Sequence, residues 1–273
     1  MPTISRANDT TKDQTYFIWQ IKKEQLPHIL FPVGEFENKA EVREYAQSKD
    51  LITSQKPDSQ GLCFVGQTSL RDMLLQTIGQ KDGYIYAYLT DEEAQQIGIT
   101  ITKKNLTSKP NTSSAKNQTK NKIKLGQHQG AFLYTIGQRQ NLGLSNGPWF
   151  VQNVDILTNE VTVCHNICKE DMNYKSLLVK EINWHIDVKN NSENNSENFT
   201  FVDGLYLIQA HCQIRYHGKS SKVQVAYNKL NNTAMVVFEN FVNSPAKGQS
   251  IVFYDYQTNA KMLGGGMIEN VFS

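Results

Sequence analysis

The sequence predicts an α+β chain of more than one domain, closing in an antiparallel β-barrel. Three observations point there. The chain has 273 residues, enough for about two domains. Apolar residues recur with helical spacing in much of the first hundred positions. From Pro148 onward, short runs rich in β-branched and aromatic residues follow one another, separated by turn residues.

Taken in order, TYFIWQIKKEQL (15–26) reads as a helix, with Phe17, Ile18 and Ile21 on one apolar face. NKAEVREYAQSKD (38–50) reads as a second, with Val42, Tyr45 and Ala46 turned inward. LCFV (62–65) is a short apolar run fit for a buried strand. The helix after it carries Ser69 and Asp72 at capping-box spacing, so Cys63 falls on a strand-to-helix junction. Thr90 and Glu93 open another short helix, which Gly98 can stop. Residues 103–124 hold seven lysines and no acid among many Asn, Ser and Thr, which predicts a disordered, solvated loop. A flexible arm brushing nucleic-acid phosphate is the alternative. A second low-complexity loop spans 188–199.

The remainder is strands: WFVQNVD, EVTVCH, LLVKEINWHI, LYLIQAHCQIRYH, KVQVAYN, TAMVVFEN, SIVFYDY and KMLGGGMIEN. In AHCQIRYH, alternation sends Ala210, Cys212, Ile214 and Tyr216 one way and His211, Gln213, Arg215 and His217 the other. Many short strands suggest a small barrel or sandwich, beginning near residues 148–160.

Bulk properties narrow the function. A net charge of +2 and an isoelectric point near 8.2 permit an anionic partner without demanding one. No run of about 18 apolar residues predicts a membrane span. The opening MPTISRANDTTKDQ has no apolar signal core, and four cysteines, Cys63, Cys164, Cys168 and Cys212, are too sparse for a disulfide scaffold. Reduced thiols and a cytoplasmic location are the expectation. Cys164 and Cys168 flank His165 in CHNIC, but one short cluster lacks the second ligand pair of a zinc site, so no metal is expected.

Several phrases occur together in a fixed order: KDQTYF (12–17), FPVGEFENKAEVREYA (31–46), KPDSQGLCFVG (56–66), GQHQGAFLYTIGQRQNLGL (126–144), GPWFV (147–151), IRYHG (214–218) and KGQSIVFY (247–254). In these the chain resembles the C-terminal two-thirds or so of the bacterial-type tRNA-specific 2-thiouridylases, which replace the C2 oxygen of a wobble uridine with sulfur. The resemblance implies three parts. Residues 1–66 would be the C-terminal tail of an α/β, ATP-pyrophosphatase-like nucleotide-binding domain. Residues 67–150 would be a small central connector that orients tRNA, with the insertion at 103–124. Residues 151–273 would be a tRNA-binding barrel.

The family's phosphate loop of the SGGVDS kind, and the first catalytic cysteine that accompanies it, have no counterpart in this sequence. ATP is therefore expected to belong to the complete family enzyme. This chain alone is expected to be inactive unless a separate chain supplies the ATP-binding half. The other implied partners are tRNA and a sulfur-donor protein of a desulfurase relay.

Cys63 admits two readings. From LCFV alone it is a buried core cysteine, the commoner state of a free thiol. The DSQGLCFVG context matches the family cysteine that carries a persulfide, and the following helix start would favour its thiolate. Lys12, Asp13 and Gln14 match a tRNA-contacting segment of the family, although helix capping by Asp13 would explain that residue without RNA. Arg215 and Tyr216 match a second tRNA-contacting pair, since arginine forks to phosphate and tyrosine stacks on bases. Gln249, after Gly248, matches a third position near the tRNA. His128 and Arg139 lie in the connector phrases without an assigned role. Trp149 reads as a core anchor and Cys212 as core. A non-catalytic tRNA-binding module and a sulfur-relay carrier are the competing functions.

Overall fold

The computed structural model describes residues 2–56, 69–107, 111–112, 119–166, 173–188 and 199–272. Cys63, Cys168, the run at 62–65 and most of the 188–199 loop lie outside the described residues. The chain divides into two compact units: Met1–Asp58 with Tyr174–Ser273, and Ser59–Asn173.

The first unit is a barrel with the N-terminal segment packed on it. Its strands are β6 (Asn173–Trp184), β7 (Phe199–Val202), β8 (Leu205–Gln213), β9 (Ser221–Asn228), β10 (Thr233–Asn243), β11 (Ser250–Tyr254) and β12 (Met262–Phe272). They run in the order β11-β12-β6-β10-β9-β8-β7, and β8 also pairs with β11. That last pairing, Val252 with Gln213, Phe253 with Cys212 and Tyr254 with His211, closes six strands into a ring and leaves β7 attached outside it. Closure removes the exposed strand edges that would otherwise invite pairing. Period-two alternation supplies the interior: Val223, Val225 and Tyr227 of β9 face Ala234, Val236 and Phe238 of β10, all buried, while Met235 and Val237 point outward. Trp184 and Phe253 stack at 5.4 Å within the same core.

The N-terminal segment departs from its predicted form. Residues 15–26 are not one α-helix but two 3-10 turns, Thr15–Phe17 and Lys23–His28, the second containing Pro27. The proline has no N–H and cannot sit inside an α-helix without breaking its ladder. The face that is buried is also different: Tyr16, Trp19 and Leu26 pack with Ile4, Val252, Tyr254 and Met262, whereas Phe17 is exposed. These contacts pack residues 4–26 against β11 and β12, and residues 1–58 fall in one compact unit with the barrel.

α1 (Lys39–Ser48) forms as expected, capped by Asn38 accepting from the Glu41 N–H, but it buries no residue and Tyr45 is exposed. The alternation in AHCQIRYH stops at Gln213. Residues 215–218 form a turn, closed by Gly218 N–H donating to the Arg215 carbonyl at 2.9 Å, with His217 at φ 55°.

The second unit is built on a five-stranded sheet. It contains β1 (Gly83–Leu89), β2 (Asn111–Thr112), β3 (Thr119–His128), β4 (Trp149–Asp155) and β5 (Glu160–His165), in the order β2-β3-β1-β5-β4. β1 pairs antiparallel with β3 and parallel with β5. Two helices accompany it: α2 (Leu70–Ile78), capped by Ser69, and α3 (Asp91–Gln96), capped by Thr90 with Gly98 beyond its end.

Two expectations change here. Residues 119–124, placed by composition in a disordered loop, are strand, with Ile123 fully buried; Ile123 and Leu125 reach into the core, and Lys120 and Lys122, nearer the strand start, are half-buried and paired with Glu93 and Glu160. EVTVCH pairs with β1, and WFVQNVD pairs with EVTVCH, so both strands belong to this sheet rather than to the barrel. Trp149 is buried, as read from sequence.

Candidate nucleic-acid interface

The described site residues gather on the first unit. Asp13 is buried at the start of the N-terminal segment. Its carboxylate accepts from Arg6 Nη1 at 2.9 Å and from the Thr15 hydroxyl at 3.0 Å and N–H at 3.2 Å. The Arg6 guanidinium also donates to the Asn259 carbonyl and to Gln213 Oε1, and lies 3.5 Å from the Tyr254 ring centroid. The Thr15 hydroxyl reaches the Tyr254 hydroxyl at 3.0 Å. A buried carboxylate needs such partners, since burying a lone charge is costly. Asp13 thus fastens the segment to β11, while its neighbours Lys12 and Gln14 are exposed.

That fastening presents an aromatic cluster. The Tyr16 hydroxyl donates to the Ser250 carbonyl at 2.9 Å, next to Gln249, and its ring lies 6.5 Å from Tyr216. Burial pushes the Tyr16 hydroxyl up to about 12, with the Arg215 guanidinium acting the other way. Phe17 sits 4.5 Å from Tyr216 and is 57% exposed, and the His217 ring lies 3.9 Å from Tyr216. Arg215 Nη2 donates to the Ser244 carbonyl. Burial lowers the Arg215 pKa from its ordinary value, and Tyr16 opposes that shift.

Gln249 is held by its backbone, its N–H on the Ala246 carbonyl and its carbonyl accepting from Ile268. Its side-chain oxygen is buried without a hydrogen-bond partner among the described residues.

The structure therefore links the 12–17 segment, the 214–218 turn and the 249–250 strand start by direct contact. Cys63 lies outside the described residues. Sequence reading missed Phe17 as an exposed ring and Arg6 as the fastener; the KDQTYF phrase held the first, and nothing local marked the second.

Other candidates fall elsewhere. His128, in the second unit, accepts from the Gly130 N–H at Nδ1, and burial lowers its pKa. Arg139 is exposed beside a cleft of about 440 Å³ that also includes Asn141, Gly143 and Trp149. The His165 ring stands edge-on to Trp149 at 5.1 Å. Cys164 and Cys212 are buried, and burial pushes the Cys212 thiol far up. No cluster of three or more metal-ligating side chains occurs among the described residues. No described helix is long and apolar enough to cross a membrane.

Among the described residues, no helix N-terminus is left open as a nucleoside triphosphate cradle: those of α1, α2 and α3 are capped by the side chains of Asn38, Ser69 and Thr90.

Comparison with known proteins gives three successive family matches. Residues 1–67 match the tRNA methyl transferase HUP domain, 106–165 the tRNA methyl transferase PRC-barrel domain, and 174–268 the aminomethyltransferase beta-barrel domain. The tRNA-specific 2-thiouridylase MnmA of Mycoplasma mycoides subsp. mycoides SC is 32% identical over 270 residues, 98% of this chain and 60% of that protein. The proteins of the same name from Streptococcus agalactiae serotype Ia and Staphylococcus haemolyticus are 31% and 30% identical, each over 98% of this chain and 59% of their own length.

The chain belongs to the tRNA-specific 2-thiouridylase family. It spans about three-fifths of the length of the curated 2-thiouridylases it matches. The third match, 174–268, covers the closed barrel, and the second, 106–165, covers most of the five-stranded sheet.

Proposed function

We propose that this chain supplies the tRNA-holding and persulfide-bearing part of a wobble-uridine 2-thiolation reaction. The observation that carries the proposal is the barrel-end cluster, where segments two hundred positions apart in sequence meet as Phe17 on Tyr216. Exposed aromatic rings beside Lys12, Gln14 and Arg215 suit an RNA: rings stack on unpaired bases and cations meet phosphate. Asp13 enters as a positioning residue through Arg6 and Thr15. Gln249 stands next to Ser250, whose carbonyl accepts from the Tyr16 hydroxyl, and so enters as a positioning residue at the foot of the same cluster.

The proposed chemistry at Cys63 is sulfur transfer. A donor protein of a desulfurase relay loads the thiolate as a persulfide. Its terminal sulfur forms a bond to C2 of a uridine whose C2 oxygen is already adenylated, and that oxygen leaves with AMP. The Cys63 S–S bond is then broken by a second thiolate, giving a disulfide that a cellular thiol reductant reopens. The family resemblance puts that thiolate, and ATP, in the nucleotide-binding domain. No step here is routed through an ATP site on the described residues.

Two measurements test the reading. Arg215→Ala and Tyr216→Ala are each expected to weaken binding of a tRNA transcript by about 1–3 kcal/mol, measured at a temperature where the melting curve shows each variant fully folded. Mass spectrometry after incubation with a cysteine desulfurase is expected to find one added sulfur on Cys63. Unchanged tRNA affinity in both variants, together with an unloaded Cys63, overturns the proposal. A loaded thiol with unchanged tRNA affinity leaves only a sulfur carrier.

A further inference from the structure

A second cleft, of about 380 Å³, opens on the second unit and is lined by Gln80, Asp82, Gly83, Tyr84, Gln127, His128 and Gln129. Tyr84 is 39% exposed. Register places Gln127 opposite Tyr84 across the β1–β3 ladder. Along the rim the polar groups form a directed relay. Arg71 Nη2 donates to Gln129 Oε1 at 2.8 Å, Gln129 Nε2 donates to Gln80 Oε1 at 3.5 Å, and Gln80 Nε2 donates to Asp82 Oδ1 at 2.7 Å. The relay fixes which way each amide faces, so its remaining donors and acceptors are presented in a set order.

The Lys124 ammonium lies 3.2 Å from the centroid of the Tyr84 ring. Its neighbour Lys122, over Tyr86 at 4.2 Å, is different, because Glu160 holds it at 2.8 Å. Arg71 on Gln129 and Lys124 over Tyr84 bring two cations to the cleft, whose lining carries the carboxylate of Asp82; Glu160, opposite Tyr84 on β5, is already paired with Lys122, so the local balance is cationic. An aromatic wall, ordered amides and surplus cations match one ligand chemistry: a base with a phosphate attached.

We propose that this cleft seats an unpaired nucleotide of the RNA, an inference that rests on the tRNA reading above. On entry the base takes the ring face of Tyr84 that Lys124 covers, and the ammonium moves to the nucleotide's phosphate. A cation–π contact is exchanged for a base stack plus an ion pair, which favours the occupied state. The amides of Gln80, Gln127 and Gln129 meet the base edge.

The test uses the full chain, a tRNA transcript, a short single-stranded RNA and a blunt RNA duplex. Tyr84→Ala is expected to weaken tRNA and single-strand binding on the order of tenfold and to leave duplex binding unchanged. Lys124→Gln is expected to reduce the salt dependence of tRNA binding by about one phosphate contact. Tyr84→Ala binding tRNA as tightly as the unaltered chain, while Arg215→Ala binds it weakly, overturns the cleft and spares the barrel site. No tRNA binding by the unaltered chain overturns both. Should Tyr84→Ala fail to fold, photo-cross-linking of 4-thiouridine RNA to the unaltered chain decides. A cross-linked peptide within residues 80–88 or 124–129 supports the cleft, and cross-links confined to the barrel unit overturn it.

Discussion

Burial makes three histidines a source of acid sensitivity. His185 is buried, with Nε2 donating to the Ile21 carbonyl at 2.8 Å and Asn183 donating to the same carbonyl. Burial lowers the pKa of His185, and also those of His128 and His211. A histidine held neutral in the folded state binds its proton more readily once unfolded. The unfolded chain therefore gains protons first as pH falls below about 6.5, and stability drops with it. The melting temperature is expected to fall as pH drops below about 6.5, and His185→Gln is expected to reduce that fall. An unaltered slope in the variant removes His185 from the account. Thiols show the same logic. Cys212 sits inside the barrel with its pKa pushed up, so alkylation of the folded chain is expected to spare Cys212 and Cys164. Label on Cys212 before unfolding contradicts the closed barrel. Of the site residues, Arg215 and Tyr216 could be picked from sequence by chemistry and phrase, whereas the buried partners of Asp13 could not, because Arg6, Gln213 and Tyr254 meet it only in three dimensions.

At the scale of elements, strands were legible where alternation was clean. β9 obeys it throughout and β10 from Thr233 to Phe238, because there each strand has one face in the core and one in water. The N-terminal segment was not legible: its apolar spacing fits a helix, yet Pro27 and the docking of Trp19 decide otherwise. β12 carries the reason the docking is possible. A Cβ on Gly265 would lie 2.7 Å from the Trp19 ring, so only glycine lets the strand pass this close beneath the indole. Gly265→Ala is expected to destabilise the unit by about 1–3 kcal/mol and to shift Trp19 emission toward that of a solvated indole. Unchanged emission means that Trp19 does not rest on this strand. The same substitution is expected to weaken tRNA binding, since Phe17 is placed by the segment that Trp19 anchors.

At the scale of the molecule, each compact unit has its own core: Phe253 and Trp184 lie in one, Ile85 and Val151 in the other. Phe253→Ala is expected to cost about 3–5 kcal/mol and Ile85→Ala about 2–5 kcal/mol. Hydrogen exchange should report the first as lost protection on β8 to β12 and the second on β1, β3 and β5. Uniform loss across both units in either variant contradicts separate cores. The sequence by itself determined the strand-rich C-terminal half, most helix caps and the family phrases, because these depend on neighbours within a few positions. Tertiary structure alone decided that β4 and β5 join the central sheet, that six strands close through β8 and β11, and that Phe17 faces Tyr216. The physical reason is that alternation tells a strand which face to bury, while its partner is chosen by which edge, far along the chain, completes its hydrogen bonds and its core.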